Sequence, residues 1–267
     1  MDSLACLNHT LMVMIWICVA GLGACFGSFL NVVIYRLPRE RSIVWPGSSC
    51  PACGAAIRWY DNVPIFSFLV LRGRCRHCKT KISFRYPAVE ASALAITLLV
   101  YWLFGLTFAA LTTLFLTLLM VAVAIIDVEH MVIPDELSLG GIVLGLGFSF
   151  LPKGVTPLEA LIGGAAGAAV LGGIRWVHMK ISGVEGMGLG DVKLAGAMGA
   201  FLGWRPMPLV FFISAVSGLL VGGGYILIRR RGARTPIPFG AFLALGTVLY
   251  AMTAPLWAQY FEETWMM

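Results

Sequence analysis

Eight apolar segments, near residues 11–35, 88–104, 107–127, 137–151, 157–178, 192–204, 207–228 and 239–258, constrain this chain more than any other feature of it. A helix of about 20 apolar residues crosses a hydrocarbon core of roughly 30 Å, and lipid offers backbone N–H and C=O groups no partners except one another. Helices are therefore expected at each segment. Those at 137–151 and 192–204 are short for a full crossing and fit helices of little tilt or partly re-entrant ones. Only 12% of the residues are charged, against about 25% in an average soluble domain, so a soluble enzyme is excluded. The expectation is an all-α polytopic membrane protein with about eight transmembrane helices. The first segment follows Met1-Asp2-Ser3, carries no basic flank and is too long for a cleaved signal, so it reads as a retained helix.

Short loops rich in Lys and Arg stay on the cytoplasmic side of a membrane. Ten such residues fall within 36–87, and further ones fall at 175–193 and 229–238. Eight spans with the N-terminus outside bring 17 of the 19 basic residues inside and leave only Lys153 and Arg205 outside. The net charge of +6 then belongs to a surface facing anionic lipid, and no nucleic acid partner is implied. An inner (plasma) membrane location follows from this reading.

Two acids stand out against this background. Asp127 closes the apolar run Val121-Ala122-Val123-Ala124-Ile125-Ile126, and Asp191 lies between the glycine-rich Gly186-Met187-Gly188-Leu189-Gly190 and another apolar stretch. A carboxylate at the edge of a membrane helix is costly unless it is paired, hydrated or used. The topology puts both at the inner boundary, one ending the third span and the other beginning the sixth. Two carboxyl groups sharing a site, one ionised and one protonated, form the acid–base pair that activates water against a peptide bond. Their ionisation would be coupled, so measured values would belong to the pair. Helix polarity alone favours charge on Asp191 and assigns it as base, with Asp127 as acid; a water-filled cleft or bound substrate would reverse this. Gly188 and Gly190 lack a Cβ and leave room for an extended peptide, although helix packing or a flexible loop explains such glycines equally well. Glu129 and Glu185 read as ordinary interfacial charges or as contacts for cationic groups of a ligand. Asp135, directly after Pro134, reads chiefly as a helix cap.

The 36–87 loop carries Cys50-Pro51-Ala52-Cys53 and Cys75-Arg76-His77-Cys78. Two such knuckles fit tetrahedral Zn²⁺ bound by Cys50, Cys53, Cys75 and Cys78. Two disulfides are the competing reading, disfavoured because the charge pattern puts the loop in the reducing cytoplasm. With sulfur at every position the metal would be structural, holding a loop whose own core is small. The surrounding cations read as a solvated face near lipid headgroups.

In order along the chain stand Gly27-Ser28-Phe29-Leu30-Asn31-Val32, Arg36-Leu37-Pro38, the two Cys knuckles, Arg85-Tyr86-Pro87-Ala88-Val89-Glu90, Ile126-Asp127-Val128-Glu129-His130-Met131-Val132-Ile133-Pro134-Asp135, Gly188-Leu189-Gly190-Asp191 and Pro238-Phe239-Gly240. This set resembles the prepilin peptidases, the type IV leader peptidases of the GxGD intramembrane aspartic class, over nearly the whole chain. The resemblance implies that Asp127 and Asp191 are the catalytic pair. It also implies that the substrate is a prepilin or pseudopilin whose basic leader is cut after glycine on the cytoplasmic side. Such proteins often also N-methylate the new N-terminus from S-adenosylmethionine, and the cysteine loop accompanies that activity. The resemblance therefore divides the chain into a methyltransferase-associated region, 1–104, and a peptidase domain, 105–267. Glu90 is its candidate for an amine contact; Asn31, an amide within a span that needs a partner, reads equally as a helix-packing hydrogen bond or a substrate or cofactor contact. Leu94 replaces a glycine common in the family and would narrow a cofactor pocket.

Two readings from other classes remain. A proton-coupled transporter would also use paired acids, though nearer the bilayer midplane and between related repeats. A zinc-stabilised membrane scaffold would use the cysteine loop for binding and the acids for packing.

Overall fold

The computed structural model describes residues 2–152, 154–184, 186–225 and 237–265, with side chains between 10 and 254 of these. The basic residues at 229–234, with Lys153 and Glu185, lie outside the described residues. Among the described residues every regular element is helical, and only two isolated β-bridges occur. The chain divides into two compact units, Met1–Gly105 and Leu106–Met267.

In the first unit α1 (Asp2–Arg36) packs against α3 (Arg85–Phe104). Small residues set their separation: a Cβ at Gly27 would lie 2.6 Å from Glu90 Cα, and one at Gly23 would lie 2.8 Å from Thr97 Cβ. The backbones therefore approach closely, as small residues allow in lipid. Between the two helices runs the cysteine loop, which contains the short α2 (Phe66–Val70). Before α2, Phe66 N–H bonds Pro64 C=O and puts Ile65 at φ 60°, ψ −50°. That γ-turn is a strained conformation for a β-branched residue. It is held from outside, because Ile65 N–H donates to Glu90 Oε2 at 2.6 Å.

The second unit contains α4 (Phe108–His130), α5 (Asp135–Phe148), α6 (Pro157–Ser182), α7 (Leu189–Leu202), α8 (Met207–Gly218) and α9 (Phe239–Trp265). α8 runs on into one π-helical turn, Leu219–Gly223. Thr156 and Glu159 form a capping box at the start of α6, and Gly183, at φ 68°, ends it. α7 packs against α5 and α6, while α9 packs against α4 and α8. Every residue of α7 from Leu194 to Phe201 is buried. A helix wrapped by protein need not match the hydrocarbon thickness, which accounts for the shortness of the 192–204 segment. Gly199 and Gly163 make the tightest crossing in this unit, since a Cβ on either would overlap the other's backbone.

Over the described residues each of the eight apolar segments is helical. Among the described residues four helices are long and apolar enough to cross a membrane on their own, with Met207–Gly223 and Phe239–Ala254 as shorter apolar ones. The protein is an all-α polytopic membrane protein.

Candidate active site

Asp127 lies in the last turn of α4, where Met131 takes a left-handed conformation and returns its N–H to Asp127 C=O. Its side chain is buried among helices. Asp127 Oδ2 accepts a hydrogen bond of 3.0 Å from Ala241 N–H, in the first turn of α9, with Gly240 N–H beside it. Asp191 sits at the third position of α7, is likewise buried, and accepts from Gly188 N–H at 3.2 Å. Each carboxyl group thus rests on the N–H groups of a helix N-terminus, where a negative charge is stabilised. Helix polarity therefore does not separate the two acids, because the positive end of α9 opposes the negative end of α4 at Asp127.

Ile133 joins the two sites. A Cβ at Gly190 would lie 3.0 Å from Ile133 Cβ; one at Gly240 would lie 2.6 Å from Ile133 Cδ1 and 3.0 Å from Asp127 Oδ2. One buried isoleucine therefore touches the starts of α7 and α9, the two helix ends on which the carboxyl groups rest. The glycine loop before Asp191 is held from α6: Arg175 Nε donates to Met187 C=O at 3.0 Å, and His178 Nδ1 lies 3.2 Å from Val184 C=O. Gly188 and Gly190 make internal contacts, one to Asp191 and one to Ile133.

The other acids are placed differently from one another. Asp135 makes no cap hydrogen bond; Pro134 is the N-cap of α5. Asp135 instead takes both its oxygens to Lys193 Nζ, at 2.7 and 2.9 Å, tying the start of α5 to α7. The capping reading is corrected accordingly, because a cation two residues beyond Asp191 competes successfully for that carboxylate. Glu129 is exposed and lies 3.9 Å from His130. Glu185 is outside the described residues.

In the first unit the four thiols of Cys50, Cys53, Cys75 and Cys78 converge, all Sγ atoms lying within 4.8 Å of one another. Cys50 and Cys78 Sγ are 3.8 Å apart. Bonds of about 2.3 Å to a tetrahedral centre give an edge of about 3.8 Å, so the donor set fits zinc. The two knuckles repeat one design: Gly54 N–H returns to Cys50 C=O and Lys79 N–H to Cys75 C=O, at φ 70° and 60°. Flanking bridges join Ser49 to Ala56 and Arg74 to Lys81. Asp61 clamps the second knuckle through Arg76, at 2.6 to 3.0 Å, and that guanidinium holds its carboxyl below the usual carboxylate range. The hydroxyl and N–H of Thr80 bring the Cys78 thiol down to about 6, making it a thiolate at neutral pH and ready for metal. Thr80→Val is expected to lower zinc affinity by about 10- to 100-fold, read by chelator competition on the full chain.

Asn31 is buried, and its Nδ2 donates to Tyr86 C=O at 3.0 Å. Its Oδ1 has no donor among the described residues. Glu90, four residues beyond Tyr86, bonds Ile65 N–H and the Ser28 hydroxyl.

The chain matches the Bacterial Peptidase A24 N-terminal domain over residues 22–104 and the Type IV leader peptidase family over 114–223, which includes both aspartates. It is 37% identical to the prepilin leader peptidase/N-methyltransferase of Pseudomonas putida over 246 residues, 84% of this chain and 85% of that protein. A protein of the same name from Aeromonas hydrophila is 39% identical over 82% of this chain and 84% of its own length. That of Pseudomonas aeruginosa is 35% identical over 94% and 93%. No solved structure matches the chain. With helices, paired carboxyl groups and cysteine cluster in place, this chain belongs to the type IV leader peptidase family.

Proposed function

We propose that this protein removes the basic leader from type IV prepilins or pseudopilins, cutting after glycine at the cytoplasmic face of the inner membrane, with Asp127 and Asp191 as the catalytic pair. The observation that carries this reading is the seating of both buried carboxyl groups on helix N-termini around Ile133. Whichever aspartate is ionised takes a proton from water as its oxygen attacks the scissile carbonyl carbon. The protonated partner hydrogen-bonds the carbonyl oxygen and then supplies the proton that the leaving amine needs. The backbone N–H groups of Gly188 and Ala241 support whichever carboxylate carries the charge.

Residues 1–104 form the methyltransferase-associated region and 105–267 the peptidase domain, with the N-terminus outside. Zinc is structural, bound by Cys50, Cys53, Cys75 and Cys78. S-adenosylmethionine supplies a methyl group for the new N-terminal amine. The partnerless acceptor of buried Asn31, together with the Glu90 carboxylate, fits an ammonium group, which offers donors only. Glu129 remains a candidate contact for leader cations, as does Glu185; Gly188 and Gly190, at the start of α7, leave room for an extended peptide.

The test is a purified precursor whose leader ends in glycine, incubated with the full chain and methyl-labelled S-adenosylmethionine. Two product masses are expected, cleaved and then methylated. Cleaved product without label would remove the methyltransferase assignment, and uncut precursor would remove both.

A further inference from the structure

A membrane protein's loops are usually polar where they meet water, yet the short helix α2 is not. Phe66, Leu69 and Val70 are 65%, 65% and 58% exposed, uncovered by any of the described residues. Their place is fixed by one hydrogen bond. Ile65 N–H, immediately before α2, is bonded to Glu90, in the second turn of the membrane helix α3. Glu90 is five residues beyond Arg85, about 7.5 Å further along the helix at 1.5 Å per residue. Phe68, on the same short helix, stacks edge-on against Phe84 just before α3. α2 therefore lies beside the first turns of α3, the end at which that apolar helix would enter the membrane.

The chain leaving α2 changes character at once. Leu71, Arg72, Arg74, Cys75, Arg76 and Lys79 line one cavity of about 360 Å³. Arg76 is committed to Asp61, whereas Arg72, Arg74 and Lys79 are exposed and form no ion pair among the described residues. A divalent ion on the four thiolates would leave two negative charges; with Asp61 these would balance three of the five cations Arg72, Arg74, Arg76, Lys79 and Lys81 and leave an excess of two positive charges on the segment.

We propose that α2 and the basic segment after it form a binding site for an anionic phospholipid, with Phe66, Leu69 and Val70 among the acyl chains and Arg72, Arg74 and Lys79 around the headgroup phosphate. Apolar side chains at this end of α3, next to an excess of cations, complement a lipid with a charged head and an apolar tail. A soluble anion would use the cations alone. The site anchors the cysteine loop to the membrane that its two flanking helices enter, and it depends on neither cleavage nor methylation.

The experiment uses the full chain in nanodiscs of phosphatidylcholine containing a small share of photoactivatable phosphatidylglycerol, with crosslinks mapped by mass spectrometry. Label is expected on residues 66–79, competed by unlabelled phosphatidylglycerol but not by phosphatidylcholine or inorganic phosphate. Near an anionic surface each cation contributes about fivefold, so the triple variant Arg72→Gln, Arg74→Gln, Lys79→Gln should lose roughly a hundredfold of labelling at limiting lipid. Metal content and melting report that the variant is folded. If the variant does not fold, competition on the wild type decides alone. Equal competition by phosphatidylcholine would reduce the site to simple proximity. Displacement by inorganic phosphate would make it a soluble-anion site. Absence of label from α2, or its protection only by an added precursor protein, would also overturn the proposal.

Discussion

Asp127→Asn and Asp191→Asn each lower precursor cleavage by at least about 10³-fold, and the double variant is no worse than either single one. Two groups that act as a unit show this non-additivity, since losing one leaves the other without its partner in proton transfer. The substitution removes protons and charge but little else. An asparagine carbonyl still accepts from Ala241 N–H at position 127 or Gly188 N–H at position 191, so both variants should melt close to wild type. The cysteine cluster lies in the other unit and should keep its metal in both. A folded variant that cuts near the wild-type rate would dismiss the two-carboxylate mechanism and return the transporter and scaffold readings to consideration.

Gly199→Ala is the second large effect, and its sign contrasts with that of Gly173→Ala on the neighbouring helix. A methyl group at 199 would run into the backbone of Gly163 and Gly164, which cannot rotate away as a side chain would. α6 and α7 must separate, and the expected loss is about 3 kcal/mol or more in thermal melting, with cleavage falling because α7 carries Asp191. At Gly173 the same methyl group meets open space. There the change should be neutral or stabilise by up to about 1 kcal/mol, since alanine restricts the unfolded chain. Equal melting of the two variants would show that the crossing is loose.

Much of the layout was legible in the sequence because it rests on side chains with a strong cost in lipid. Aspartates at the ends of apolar runs and paired cysteines at fixed spacing cannot be ignored by any fold. What escaped detection was carried by groups without such a signal. The donor to Asp127 is a backbone N–H, which every residue except proline possesses, so nothing at Ala241 announced it. Ile133 is one isoleucine among many, and its position between Gly190 and Gly240 follows only from three helices meeting. In the sequence Arg175 is only one of the basic residues at 175–193, yet its Nε donates to the Met187 carbonyl. Asp135 followed the local rule for a cap, and a distant lysine overrode it. The γ-turn at Ile65 depends on Glu90, 25 residues away, whereas local propensity would have placed a glycine there.

The bond from Ala241 to Asp127 spans 114 residues and joins the last helix to the fourth. A chain growing from its N-terminus makes both aspartates long before it makes that donor. Until α9 inserts, Asp127 lacks its N–H support and Ile133 lacks one of its two glycine neighbours. The seat of Asp127 is therefore completed in time as well as in space, closing only when the last helix has joined the bundle.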